Sequence, residues 1–330
     1  ALGWLPLTAA LWSTDATRMA EFLAVPDGET RLAVAQLVVN HLSRDPAVRR
    51  VLTERLLPVL QQPGDHEAIG LVLREVLAAE VAALLSVADL TTLLARGAAA
   101  AKAAAAAALA VKPGALAELG LERVAALALH EVAAVRTAAL ILVRSAIDQL
   151  RDDPALLFVL AESEWPDTRE VALNLIRTEI DLPKFGLDGF MGLIDSNRPD
   201  VQNHGRDLIL RHLDELPILD LLDRLIQHPH ANVRHFALDL VVKHLPEEPE
   251  ALEQALPFCR AILFDMTPSR AAKRRVLEFL RDRGLRDAKQ AALAAGLLGE
   301  AVRFRTRVDF EQALSGLARL QLAFPGEKKS

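Results

Sequence analysis

One amphipathic pattern recurs along this 330-residue chain and constrains its fold more than any other feature. Its clearest copies are residues 166–181, 199–214 and 230–245. If Arg169, Gln202 and Arg234 mark the reference position, small or apolar residues follow three, seven and eleven places later. Those positions share one face of an α-helix. Each copy is therefore predicted to be one amphipathic helix.

The pattern extends in both directions from these three copies. The reference positions are Arg31, His66, Lys102, Arg136, Arg169, Gln202, Arg234 and Lys273. A further apolar segment precedes most of them by one short loop. These segments are residues 47–60, 89–94, 116–129, 155–161, 185–194, 218–226 and 250–264. One helical hairpin cannot bury its apolar stripe alone, so neighbouring hairpins must stack. The sequence predicts an all-α fold, a right-handed α-solenoid of about eight or nine hairpins.

An alanine-rich run, RGAAAAKAAAAAALAVKPG at residues 96–114, falls inside this array. A flexible linker is the alternative interpretation, but alanine-rich segments are stiff and helical. Lys102 stands at the reference position within the run, and Pro113 with Gly114 provides a stop signal. The run is therefore predicted to be the second helix of one repeat.

The repeat resembles the HEAT-repeat family. Val135-Arg136, Thr168-Arg169 and Val233-Arg234 carry the resemblance, which covers residues 27–285. Residues 1–26 and 286–330 are expected to be capping helices. In that family the arginine usually pairs with an aspartate in the turn region and ties neighbouring repeats together. The resemblance implies this structural role for Arg31, Lys102, Arg136, Arg169 and Arg234. Asp195 is one candidate acid, whereas other copies offer Glu162, Ser163, His130 or His228.

Sequence motifs for catalysis are missing from the chain. It contains no HExxH, no Walker loop, no GxSxG, and no GxGxxG after a strand. Cys259 is the only cysteine, which excludes an intramolecular disulfide and a multi-cysteine zinc site. The histidine-rich stretch at residues 228–235 lacks acidic or thiol ligands at metal-binding spacing. We therefore expect no enzyme activity, no cofactor and no metal.

The chain also lacks a charge-free run of about 18 residues, so no membrane span is predicted. Its start has neither an initiator methionine nor the basic region of a signal peptide. We expect a cytoplasmic protein, or a piece cut from a longer one. Alanine, leucine and arginine are abundant, which fits a bacterial source.

An apolar strip is expected where the second helices face away from the core. In the HEAT family these helices line the concave side, so the resemblance implies a concave strip. Its members are Leu71, Ala104, Ala107, Val111, Ala138, Ile141 and Val171. Exposed apolar patches usually mark interaction sites. The strip is expected to bind a protein partner or a neighbouring domain, unless another part of the chain covers it.

A basic region near the C-terminus contrasts with the chain's net charge of −6. Residues 270–307 contain eleven Lys or Arg and only four acids. The candidate patch for an anionic partner comprises Arg270, Lys273, Arg274, Arg275, Arg281, Arg303, Arg305 and Arg307. It could contact an acidic protein or nucleic-acid phosphates. Alternatively it is a solvated helix face with intrahelical ion pairs, such as Arg274–Glu278, Glu278–Arg281 or Asp282–Arg286.

These features together predict a non-catalytic scaffold or adaptor, part of a larger bacterial protein or complex. A nucleic-acid-binding solenoid is the first alternative. A HEAT-like DNA glycosylase is the second, although such an enzyme needs an acid and aromatic side chains on one concave surface. Trp165, in a turn, is expected to plug a loop instead of stacking on a base.

Overall fold

The computed structural model describes residues 8–62, 64–226, 228–264, 270–304 and 310–325. All regular structure in these residues is α-helix or short 3-10 helix, with no strand. The all-α prediction is confirmed. The chain divides into two compact units, residues 1–181 and 182–330, and each is described by itself.

The first unit contains fourteen α-helices among its described residues. They are α1 (Ala9–Trp12), α2 (Ala16–Leu23), α3 (Gly28–His41), α4 (Pro46–Leu56), α5 (Glu67–Glu75), α6 (Ala78–Leu84), α7 (Val87–Arg96), α8 (Ala99–Val111), α9 (Ala115–Leu119), α10 (Leu121–Ala128), α11 (Ala133–Ser145), α12 (Ile147–Asp152), α13 (Ala155–Ala161) and α14 (Pro166–Glu179). The second helices contact one another in chain order, α3 with α5, α5 with α8, α8 with α11 and α11 with α14. Each of α8, α11 and α14 also packs against the helix of its own hairpin.

The second unit contains eight α-helices among its described residues. They are α15 (Gly186–Ile194), α16 (Pro199–Arg211), α17 (Ile218–Ile226), α18 (Ala231–His244), α19 (Pro249–Phe264), α20 (Arg270–Gly284), α21 (Ala288–Arg303) and α22 (Phe310–Ala323). Antiparallel neighbours pack as α15 with α16, α17 with α18, and α19 with α20. Cys259 in α19 is fully buried, and burial raises the pKa of its thiol to about 12.

The repeat register agrees with the helices at every copy except one. The reference residue is the fourth residue of its helix in α3, α8, α11, α14, α16, α18 and α20. His66 instead precedes α5, where its Nε2 lies 2.9 Å from the carbonyl oxygen of Gln62. The helix of that copy therefore begins directly after the reference residue, although Ile69, Leu73 and Leu77, the apolar residues predicted from it, are buried. Gly120 (φ 78°) also breaks the segment 116–129 into two helices, because its positive φ is incompatible with a continuous helix.

The alanine-rich run forms α8, as predicted. Its end is held by Lys112, whose Nζ donates to the carbonyl oxygen of Ala82 over 2.7 Å. Seven of the thirteen residues in α8 are buried against α5, α6, α7 and α11. A Cβ atom built on Gly70 would lie only 2.7 Å from the Cβ of Ala100. The neighbouring helix α5 therefore packs unusually close to α8, whose side chains are small.

No single helix among the described residues is long and apolar enough to cross a membrane. Helices α6 and α7 pass that test only as a pair, with a bend of 113° between them.

Candidate functional site: an alanine-lined groove

A repeated loop precedes four of the second helices and sets where each begins. A histidine or serine side chain in that loop accepts the backbone N–H two residues later, over 3.0–3.1 Å. The four residues are His130, Ser163, Ser196 and His228. Such local bonds fix a turn. Two of the histidines in the chain are thus explained by turn geometry, and no cluster of metal-ligating side chains exists among the described residues.

The reference side chain ties its own helix to this loop. Arg136 Nη1 donates to the carbonyl oxygens of His130 and Glu131, each over 2.9 Å. Equivalent bonds to loop carbonyls are made by Arg169, Gln202 and Arg234. The arginine fork can reach two carbonyls at once because its donors lie in one plane. Sequence reasoning missed this role, which the shared spacing of six residues could have revealed.

Contacts to the next repeat start from the same reference residues. Arg136 Nε lies 2.9 Å from Asp167, and the Gln202 side chain accepts a 2.7 Å bond from Asn232. Both partners are the second residue of the next second helix, not a turn acid. Asp195, the candidate turn acid, lies instead 3.0 Å from His228 Nε2. The acid that Arg136 contacts therefore lies in the next second helix and not in the turn, where Arg136 Nη1 binds two carbonyl oxygens instead.

The Trp165 ring packs against the guanidinium of Arg136. Its indole N–H donates to the carbonyl oxygen of Leu129 over 3.2 Å, and the Arg136 guanidinium lies 4.1 Å from its ring centroid. The indole therefore covers a cation and is held in place at its edge. The position of Trp165 agrees with the predicted packing role in the loop.

This ladder of polar contacts is interrupted at α8. The helix position that Asp167 occupies in α14 is Ala100 in α8 and Ala134 in α11. Lys102 has only a distant partner, Glu131, at 4.0 Å. Earlier in the first unit, Arg31 does pair with the next repeat, through Asp65 at 3.0 Å. Methyl groups thus replace carboxylates along one stretch of the surface.

A groove of about 490 Å³ lies at the interruption, between the N-terminal ends of α5, α8 and α11. We call it the alanine groove. Its apolar lining is Leu32, Gly70, Leu71, Ala98, Ala99, Ala100, Ala103, Val132, Ala133 and Ala134. Its polar rim is Asp65, His66, Glu67 and Arg74. Gly64, in the loop before α5, also lines it. The apolar lining follows directly from the small side chains of α8 and α11.

The rim of the alanine groove has an acidic character. Asp65 and Arg74 already pair with Arg31 and Glu75. A backbone bond from Glu67 is the main cause that lowers the pKa of Asp65, so this carboxylate stays ionised at neutral pH. Glu67 forms no ion pair with any described residue. One negative charge therefore remains available at the rim.

The predicted concave strip is only partly assembled here. Leu71 lines the groove and is half-buried. Ala107 and Val171 are half-buried, while Val111 and Ile141 are exposed but lie outside the groove. Ala104 and Ala138 are buried, with 1% and 5% exposure, so their predicted exposure was wrong. Both lie in second helices that pack against neighbouring second helices, and a pattern within one helix contains no information about that packing.

Half of the described members of the predicted basic patch are paired with nearby acids. Arg274 pairs with Glu278 (2.9 Å), as predicted. Arg281 pairs with Asp282 instead of Glu278, and Arg286 with Glu247 instead of Asp282. Arg275 reaches across to Asp239 on α18. Arg270, Lys273 and Arg303 keep no ion pair within the described part of the chain. Arg305 and Arg307 lie outside the described residues.

His130 offers a pH test of the loop. Its Nδ1 accepts the N–H of Val132, which requires a neutral imidazole nitrogen. Burial, followed by the charge of Lys102, lowers the pKa of His130, with Glu131 opposing. The unfolded chain therefore binds this proton more readily, and the stabilisation is lost as pH falls below about 6.5.

Removal of the lysine charge is expected to raise the pKa of His130. The variant Lys102→Met should show this in an NMR titration of the His130 ring, with Lys243→Met on α18 as the control. An unchanged pKa in Lys102→Met would contradict the electrostatic account.

Comparison with known proteins gives little further information. No protein-family model matches the chain, and no curated protein matches it. Among solved structures, the X-ray structure of YibA from Escherichia coli is similar at 13% identity, over 96% of this chain and 95% of that chain. The TM-score is 0.31, which is too low to support an argument about fold or function.

Proposed function

We propose that this chain is a non-catalytic scaffold or adaptor that binds a peptide segment of a protein partner in the alanine groove. The observation that carries the proposal is the groove itself, an apolar surface left where the polar ladder is interrupted. Exposed apolar surface of this kind usually marks an interaction site. The partner is a separate protein or a neighbouring domain of a longer bacterial polypeptide, in the cytoplasm.

We also propose that the hairpins stack as a right-handed α-solenoid of about eight or nine HEAT-like repeats. The successive contacts of α3, α5, α8, α11 and α14 support this arrangement in the first unit. The repeated loop and the reference side chains support a common repeat in both units. In such arrays each repeat contacts only its neighbours and extended binding surfaces result.

The chemistry of the groove indicates what the partner segment carries. Its methyl-lined floor accommodates small or medium aliphatic side chains at close approach. The acidic rim favours a Lys or Arg on the bound segment, near Glu67. Charge complementarity of this kind adds specificity more than affinity.

Two alanines at the groove allow a direct test. Ala99 and Ala133 are exposed and each is the first residue of its helix. Glutamate there is compatible with the positive helix end, so folding is retained. We expect the double variant Ala99→Glu/Ala133→Glu to lose partner binding by at least about tenfold, because a buried charge opposes apolar contact.

The measurement uses peptides selected from a displayed library on the full chain, followed by titration. Ala126→Glu, an exposed site on α10 outside the groove, is the matched control and should bind normally. Equal affinity for the double variant and the control would contradict the proposal. So would tight DNA or RNA binding that falls steeply between about 50 and 200 mM salt, since that result favours the nucleic-acid alternative.

A further inference from the structure

A second pocket lies in the second unit, between the C-terminal half of α18, the loop after it, and α20. It encloses about 400 Å³. Val242, Leu245 and Phe279 give it an apolar wall, and Lys243, Arg275 and Arg283 are its principal cations. We call it the Arg283 pocket. It is separate from the alanine groove and plays no part in the function proposed above.

Arg283 is the unusual member of this pocket. Its residue exposure is only 5%, yet its charge has no close counterion. One guanidinium nitrogen, Nη2, donates to the carbonyl oxygen of Pro246. Nε is buried without a hydrogen-bond acceptor, and no carboxylate among the described residues forms an ion pair with the side chain. Buried charges are normally paired, because desolvation is costly.

The carboxylates that line the pocket, and Asp239 beside it, are already engaged by other cations. The pairs are Glu247 with Arg286, Glu278 with Arg274, Asp282 with Arg281, and Asp239 with Arg275. Each acid at the rim therefore has its own partner, and none lies against Arg283. Lys243, exposed at the mouth, also has no ion-pair partner in the described chain. Two uncompensated cations thus face one pocket with an apolar wall.

We propose that the Arg283 pocket binds a carboxylate attached to a small aliphatic group. The carboxylate accepts N–H groups from Arg283 and, at the mouth, from Lys243. The aliphatic group lies against Val242, Leu245 and Phe279. A free short-chain carboxylic acid and a peptide ending in an aliphatic residue share this chemistry.

A monoanion fits this pocket better than a phosphate dianion does. Glu247, Glu278 and Asp282 at the rim are already paired, so the preference rests on the wall of Val242, Leu245 and Phe279, which suits an aliphatic group. The apolar wall has no hydrogen-bond donors for the additional phosphate oxygens.

The lowered pKa of Arg283 is consistent with a cation that lacks a counterion in the unliganded pocket. Burial, followed by the charge of Arg286, lowers the pKa of Arg283, whereas the charges of Glu247, Glu248 and Asp287 oppose this shift. A bound carboxylate opposes that lowering because it favours the charged form.

The test is a calorimetric or NMR titration of the full chain with defined probes. The first arm uses 4-methylpentanoate, and the second uses N-acetyl-Ala-Ala-Leu with a free carboxyl terminus. The neutral amide of each probe and inorganic phosphate are the comparisons. We expect one saturable site for at least one carboxylate, and binding at least about tenfold weaker for its amide. The arm that binds identifies the source of the carboxylate.

Variants locate the site. Arg283→Gln should abolish binding, and Lys243→Ala, at an exposed position, should weaken it about threefold to tenfold. Arg211→Ala on α16 is the matched control and should leave binding unchanged. If Arg283→Gln does not fold, the Lys243→Ala and amide comparisons still decide. Failure of both carboxylates to bind, equal binding of the amides, tighter binding of phosphate, or unchanged binding in Lys243→Ala would each overturn the proposal.

Discussion

Replacement of Gly70 by alanine is expected to lower the free energy of unfolding by about 1–3 kcal/mol. In most helices this substitution is favourable, by about 1 kcal/mol, because alanine restricts the unfolded chain and favours helix. At Gly70 the new Cβ would lie 2.7 Å from the Cβ of Ala100 and 3.1 Å from its carbonyl oxygen. Helices α5 and α8 must separate, and the backbone of α8 cannot yield as a side chain would.

The matched control is Gly296 on α21, where an added Cβ meets no atom within 4 Å. Gly296→Ala is expected to stabilise the protein by about 0.5–1 kcal/mol. Urea unfolding followed by circular dichroism measures both variants. The two substitutions should therefore change stability in opposite directions. Stabilisation by Gly70→Ala would show that α5 and α8 do not approach as closely as described.

Replacement of Arg136 by methionine is expected to destabilise the protein by about 2–4 kcal/mol. The residue is 6% exposed and donates to two loop carbonyl oxygens, over 2.9 Å each. Its removal leaves those acceptors without this donor, Asp167 without its cation and Trp165 without the guanidinium over its ring. Asp167 is itself 43% exposed, so the ion pair accounts for little of the loss and the carbonyls for most.

Hydrogen exchange provides a second measurement of the same variant. Backbone amides at the start of α11 should exchange faster, because the loop at His130 and Glu131 is no longer tied to the helix. Arg136→Lys keeps the charge but loses the planar fork, and should recover only part of the stability. Arg123→Met, at an exposed position on α10, is the control and should change stability by no more than about 0.5 kcal/mol. A loss of similar size in Arg123→Met would show that the effect is not specific to the loop contact.

Sequence periodicity was most informative where the chain repeats itself. The second helices at 166–181, 199–214 and 230–245 correspond closely to α14, α16 and α18. The alanine run was correctly predicted as helix, because alanine has the highest intrinsic helix propensity and Lys102 kept the register. These are local properties of the chain, and they do not require knowledge of any neighbour.

Predictions failed where a local turn or a neighbouring helix decided the outcome. His66 was placed inside a helix because apolar spacing resembles the repeat, but a bond to Gln62 holds it in the preceding turn. Ala104 and Ala138 were expected at the surface from their place on the helical wheel. Both are buried, in helices that pack against other second helices. A helical wheel identifies the faces of one helix but gives no information about the distance to a neighbouring helix.

The two pockets could not be located from the sequence for the same reason. The alanine groove exists because two successive helices both lack the acid that Asp167 supplies in α14. Arg283 lacks an ion pair because four carboxylates near the pocket pair with other arginines. Ion-pair choice is decided by distances between different helices, whereas sequence spacing predicts only pairs within one helix.

The amino-acid sequence by itself determined the all-α class, the positions of the second helices and the apolar face of each. Those features follow from a 3.6-residue period and intrinsic propensity, which act within one helix. Only the tertiary structure decided which apolar residues remain exposed, which carboxylate meets which cation, and where the surface opens into a groove. These outcomes depend on the distance between helix axes, and that distance is set jointly by the side chains of both neighbours.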